Sequence, residues 1–242
     1  MDANDFVRFV GIPAAVALGG VAVSTLAWRA MRDRIDEGSA RFMDDLARGT
    51  FAFVFFLLAF TVAEGRENMS RARAVVVEEA SVLRQIARQV GPEARASLDA
   101  YARSVVEDEW RTLGLRPPTA SAESDDAFAA VIDACVARRS PAIDEDLARL
   151  EHLRAQRLQL AHAGSPPAYW AVISILMVAG CVLYGVVVAT PARRRALALY
   201  LAGFGLVIAL VLELEHPFAG LVRVTPEALQ GVLDARFVPT TR

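Results

Sequence analysis

Four stretches of the chain are apolar and almost free of charge, and most charged positions lie between them. Phe9 to Trp28 carries no charge and forms about 30 Å of helix, enough to cross the hydrocarbon core of a bilayer. Trp28 ends it as an interfacial anchor and is followed by Arg29, Arg32 and Arg34. Within it, Gly11, Gly19 and Gly20 are positions for close helix contact. A mixed-charge connector follows, and Gly38-Ser39 divides it as a surface hairpin would.

The second apolar stretch, Gly49 to Ala63, is shorter, about 22 Å as helix. It passes with only Gly65 at the junction into the charged, helix-periodic segment that ends at Ala80. Glu64, Arg66 and Glu67 stand at the join, where lipid penalises charge. A buried or re-entrant segment would fit the length. A full span also fits, if Arg48 snorkels and Glu64 faces an aqueous lumen, and the pattern favours this second reading. The third span starts at the aromatic pair Tyr169 and Trp170, and the fourth runs from Ala196 to Glu213. A cationic turn, Thr190 to Arg195, joins them.

Between the second and third spans the apolar positions repeat at helical spacing. Val76, Ala80, Leu83, Ala87 and Val90 form a heptad seam, stopped by Gly91-Pro92. Ala94, Leu98, Tyr101 and Val105 predict a second helix to about Leu113. Gly114 to Asp126 reads as a linker. Phe128, Val131, Ile132, Cys135 and Val136 mark a third helix, and Ile143, Leu147, Leu150, Leu153 and Leu158 a fourth. The predicted architecture is all-α: a four-span transmembrane protein with a helical soluble domain inserted between spans two and three. Residues 1–63 hold spans one and two, 64–163 the extramembrane domain, 164–213 spans three and four, and 214–242 an extramembrane tail with a short helix near Pro226.

Composition agrees: 55% of the 242 residues are apolar, concentrated in these blocks. All 26 basic residues are Arg, which points to a GC-rich, bacterial genome and excludes Schiff-base or phosphate-loop Lys chemistry. A net charge of −2 gives no footprint for nucleic acid. Cys135 and Cys181 make no disulfide framework, and the acidic N-terminus has no cleavable-signal layout.

No catalytic motif, metal spacing or cofactor loop stands out, so neither an enzyme nor a cofactor is expected. His152 and His162 lie too far apart in sequence to share one helical metal site. Glu107-Asp108-Glu109 and Asp144-Glu145-Asp146 read as solvated helix faces. Phe53, Phe56 and Phe60 share one helical face, with Glu64 a turn further on. Such a stripe packs on lipid or core in most helices, but an apolar ring can also gate a pore by dewetting, and an acid on the same face favours water.

Three stretches, AFTVAEGRENMSRARAVVVEEA (59–80), YARSVVEDEW (101–110) and PFAGLVRVTPEAL (217–229), resemble the bestrophin-like family of bacterial membrane proteins. That family is named for a kinship with the bestrophin anion channels. The resemblance implies a pentameric assembly in the bacterial inner membrane, with four spans per subunit and a cytoplasmic helical domain. It implies a neck lined by span two, which by position falls on Phe53, Phe56 and Phe60, with Glu64 at the inner mouth. The partners it implies are the bilayer, further copies of the chain and inorganic ions. Arg residues near the membrane are balanced between the two sides and do not fix the orientation. The competing reading is a non-conducting membrane adaptor or sensor whose heptad seams bind a partner.

Overall fold

The computed structural model describes residues 7–31, 35–114, 118–136, 140–187 and 191–234. The described chain is helical throughout its regular elements. A π-helical turn, Val7–Gly11, runs directly into α1 (Ile12–Met31), and Pro13 follows the junction in the first turn of α1. One continuous helix, α2 (Glu37–Gln89), follows. Next come α3 (Pro92–Ser104), a π-helical turn (Val105–Glu109) and α4 (Trp110–Leu113). The remaining elements are α5 (Ala122–Val136), α6 (Pro141–Ala161), α7 (Pro167–Val187), α8 (Pro191–Leu214) and α9 (Glu227–Asp234).

Four helical stretches are long and apolar enough to cross a membrane: Phe9–Met31, a part of Gly38–Gln89, Pro167–Val186 and Ala192–Leu214. The all-α, four-span expectation therefore holds. Two local expectations do not. Gly38-Ser39 is no hairpin: Asp36 accepts the Ala40 N–H through its carbonyl at 3.0 Å, so both residues lie in the first turn of α2. The Ser39 hydroxyl bonds the Asp36 carboxylate and holds it below its ordinary range, as an N-cap acid requires. The linker also ends early, because Ser121 accepts the Asp125 N–H at 3.0 Å and starts α5 at Ala122. Thr190 of the cationic turn and residues 115–117 of the linker lie outside the described residues.

The chain forms two compact units. The first holds the described residues as far as Arg66, together with Gly164–Glu215. Its core is Phe51, Val54 and Leu58 of α2 against Ile173, Met177 and Cys181 of α7 and Leu197, Leu201, Phe204 and Val211 of α8. Small residues let the helices close. A Cβ on Gly185 would stand 2.4 Å from the Ser24 carbonyl oxygen, and one on Gly205 would stand 2.4 Å from Pro13 Cα. Ser24 Oγ also donates to the Cys181 carbonyl at 2.8 Å. Of the α1 glycines expected to make such contacts, Gly20 meets Leu201 and Cys181, whereas Gly19 has open space.

The second unit holds Glu67–Ala163 and the described residues from His216 onward. Gly91 is extended and Pro92 takes the first helical position, which stops α2 and starts α3. Ser140 accepts the Ile143 N–H at 3.3 Å as the N-cap of α6. The heptad residues Val76, Ala80, Leu83, Ala87 and Val90 are all buried, as are Ala94, Leu98, Tyr101 and Val105.

Candidate functional site

Two places in the molecule bring together side chains that do more than fill space. One lies on α2 within the first unit. Ala47, Phe51, Val54, Leu58, Thr61 and Gly65 form its buried stripe. Phe51 meets Tyr200 and Phe204 with ring centroids 5.6 and 6.0 Å apart. Tyr169 OH donates to the Leu57 carbonyl at 2.7 Å and also contacts Thr61 Oγ1. Gly65 admits Leu214, whose Cβ would stand 2.7 Å from a Cβ placed there.

The opposite face of the same segment is uncovered. Phe53, Phe56 and Phe60 are 52%, 64% and 64% exposed, and Glu64 is exposed one turn beyond Phe60. All four residues named from the sequence thus share one face of one helix, as their spacing requires.

The other place is a charge cluster sealed inside the second unit. Glu79 of α2, Glu109 of the π-helical turn and Arg157 of α6 are each wholly buried, at 0% exposure. Arg157 Nη1 donates to Glu79 Oε2 at 2.7 Å, and Arg157 Nη2 lies 3.1 Å from Glu109 Oε1. Tyr101 OH donates to the second Glu79 oxygen at 2.8 Å. The π-helical turn sets Glu109 in place: the Trp110 N–H reaches back to the Val105 carbonyl, five residues earlier, and the wider turn aims the carboxylate inward.

Burial pushes the Glu79 carboxyl above its ordinary value, outweighing the opposing pull of Arg157 and Tyr101. Burial also raises the Tyr101 phenol, and the Glu79 charge beside it adds to the effect. Arg157 is desolvated too, but Glu79 and its other anionic neighbours more than restore its charge. The guanidinium therefore stays cationic between two carboxyls.

Arg157 also lies 5.8 Å above the Trp110 ring. Trp110 in turn holds the segment that follows the last span. Its Nε1–H donates to the Val224 carbonyl at 3.2 Å, and Phe218 packs edge-on at 5.4 Å. Gly220 has φ 85°, a left-handed turn that bends this segment back. Among the described residues, no group of three or more His, Cys, Asp or Glu side chains could hold a metal ion.

A family model of the Bestrophin-like domain matches residues 11–229. The chain belongs to the bestrophin-like family. No curated protein and no solved structure matches it. With four membrane-length apolar helices, this bestrophin-like chain is a membrane protein. The three stretches that carried the sequence resemblance meet in the second unit: Glu79 comes from the first, Tyr101, Glu109 and Trp110 from the second, and Phe218 and Val224 from the third.

Sequence reasoning missed the buried cluster and read Glu109 and Asp146 as parts of solvated faces. Both are buried. Asp146 accepts from Gln85 and Gln89 of α2 at 2.9 and 2.8 Å. A signal was present, since each charge sits on an apolar seam. Glu79 continues the spacing of Ala72, Val76, Leu83 and Ile86, and Arg157 that of Leu150, Leu153 and Ala161.

Proposed function

We propose that this bestrophin-like protein forms an oligomeric ion-conducting pore in the bacterial inner membrane, with α2 facing the axis and the helical unit in the cytoplasm. The observation that carries the reading is the two-sided character of α2. Its Phe51–Leu58 side is packed against α7 and α8, whereas Phe53, Phe56, Phe60 and Glu64 are left uncovered by the single chain. Lipid would satisfy three phenylalanines but not the carboxylate at the end of their row. Around a shared axis the rings form an apolar constriction and Glu64 forms its wetted mouth.

A ring of carboxylates favours cations, so the proposed permeant species are small inorganic cations. Kinship with the bestrophin channels suggests a five-fold ring. No catalytic role is proposed. Planar-bilayer recording of the purified protein tests the pore: discrete conductance is expected, with Glu64→Leu reducing cation preference and Phe56→Ala increasing leak. Silence at high protein density, with the oligomer intact, would count against it.

A further inference from the structure

The buried cluster of the second unit has more carboxylate than cation. Glu79, Glu109 and Arg157 are all at 0% exposure, so with both acids ionised the triad holds one uncompensated negative charge. A further cation, Arg154 of α6, also acts on both carboxyls but is itself paired with Asp125 of α5. Tyr101 also faces Glu79, and as a phenol it contributes no positive charge. Neither Glu109 oxygen has a hydrogen-bond partner among the described residues, while both Glu79 oxygens accept one.

We propose that the buried triad of Glu79, Arg157 and Glu109 is a proton-binding site, with the proton held on Glu79, and that it controls how firmly the segment 217–224 is held on the helical unit. With Glu79 protonated the triad is neutral and closed. Loss of that proton leaves an anion in the core and loosens the π-helical turn that carries Glu109 and is capped by Trp110. Trp110 is the direct link to the strap, through its hydrogen bond to Val224 and its contact with Phe218.

The sign follows from the geometry. A carboxyl that binds its proton more tightly when folded stabilises the closed form at low pH and loses that stabilisation as pH rises through the folded value. Burial of Glu79 acts in this direction. Because Glu79 lies on α2, the helix that also carries Phe53 to Glu64, the site would report cytoplasmic pH to the proposed pore helix. Proton control of the strap does not itself require conduction.

Hydrogen–deuterium exchange of the full-length protein in detergent, corrected for the intrinsic pH dependence of amide exchange, reads the site directly. Peptides covering 101–113 and 217–224 are expected to be protected in weak acid. Their opening should increase together through one transition as pH rises, by up to about tenfold per pH unit, the slope of a single proton. Glu109→Gln removes the surplus charge and should keep both peptides protected throughout. A flat wild-type profile, or transitions at different pH in the two peptides, would overturn the proposal even if the variant failed to fold. An unchanged transition in a folded Glu109→Gln protein would also overturn it. Bilayer silence with this transition present would sink the pore and leave the proton site standing.

Discussion

Arg157 and Glu79 are separated by 78 residues in the chain, yet they meet at 2.7 Å with both side chains fully buried. The contact fixes α6 against α2, and it has two ends: the same guanidinium faces Glu109 on the π-helical turn. Removing it should be far more damaging than removing a surface pair. Arg157→Met leaves two carboxyls buried without their cation, a change that costs about 3–5 kcal/mol. Arg149→Ala, which breaks the half-exposed pair with Glu78, should leave stability close to that of the wild type. Thermal unfolding of the two purified variants in detergent, followed by circular dichroism, measures the contrast. Equal midpoints for both would contradict a structural role for the buried pair.

Stability should also depend on pH in a defined direction. The folded protein holds the Glu79 proton more tightly than the unfolded chain, whose carboxyl titrates near the ordinary 4.5. The stabilisation is thus complete below that value and is lost as pH rises towards and through the raised folded value. Melting midpoints are expected to fall over this window in the wild type and to fall less in Glu79→Gln. The scan should stop short of the Tyr101 range, since that phenol is raised well above 10 and titrates in the same sense. Midpoints that climb across the window would show the charge to be better solvated than its burial indicates.

Trp110 offers a graded test of the strap. Trp110→Phe keeps a ring beneath Arg157 but loses the bond to Val224, worth about 1 kcal/mol. Trp110→Ala removes the ring as well and should cost about 3–5 kcal/mol. Limited proteolysis in detergent should cut between Pro217 and Pro226 in the order Ala, Phe, wild type. Equal cutting rates would mean that the strap is held by something other than Trp110.

Much of this architecture is legible in the pattern of apolar positions. The four spans follow from uncharged length, and the heptad residues Val76 to Val90 are buried as their spacing requires. The face of Phe53, Phe56, Phe60 and Glu64 is legible for the same reason, because helical spacing alone puts the four residues on one side. What sequence reasoning missed depended on partners from distant helices. Glu109 reads as one of three consecutive surface acids, and only the π-helical turn brings it opposite Arg157. Start signals misled in two places: Asp36 and Ser121 each open a helix within a stretch whose composition resembles a loop.

Helix closure in the first unit rests on glycines of the third and fourth spans as well as on Gly20 of the first. Gly185→Ala and Gly205→Ala would drive a methyl group into backbone atoms of Ser24 and Pro13, which cannot turn aside. Both variants should lose folded, monodisperse protein on size-exclusion chromatography. Gly203→Ala, on the same helix as Gly205 but with open space around it, should behave as wild type and gain slightly from the better helix former. If all three variants elute alike, the close approach is not a determinant of assembly.

The proposed pore depends on where α2 sits in the assembled protein. Single-particle imaging of the full-length protein in lipid nanodiscs tests that most directly. The expected result is a closed ring with α2 innermost, Phe53, Phe56 and Phe60 narrowing its axis, and Glu64 at the mouth. A lone chain, or a ring in which α2 faces lipid and another helix lines the centre, would contradict it.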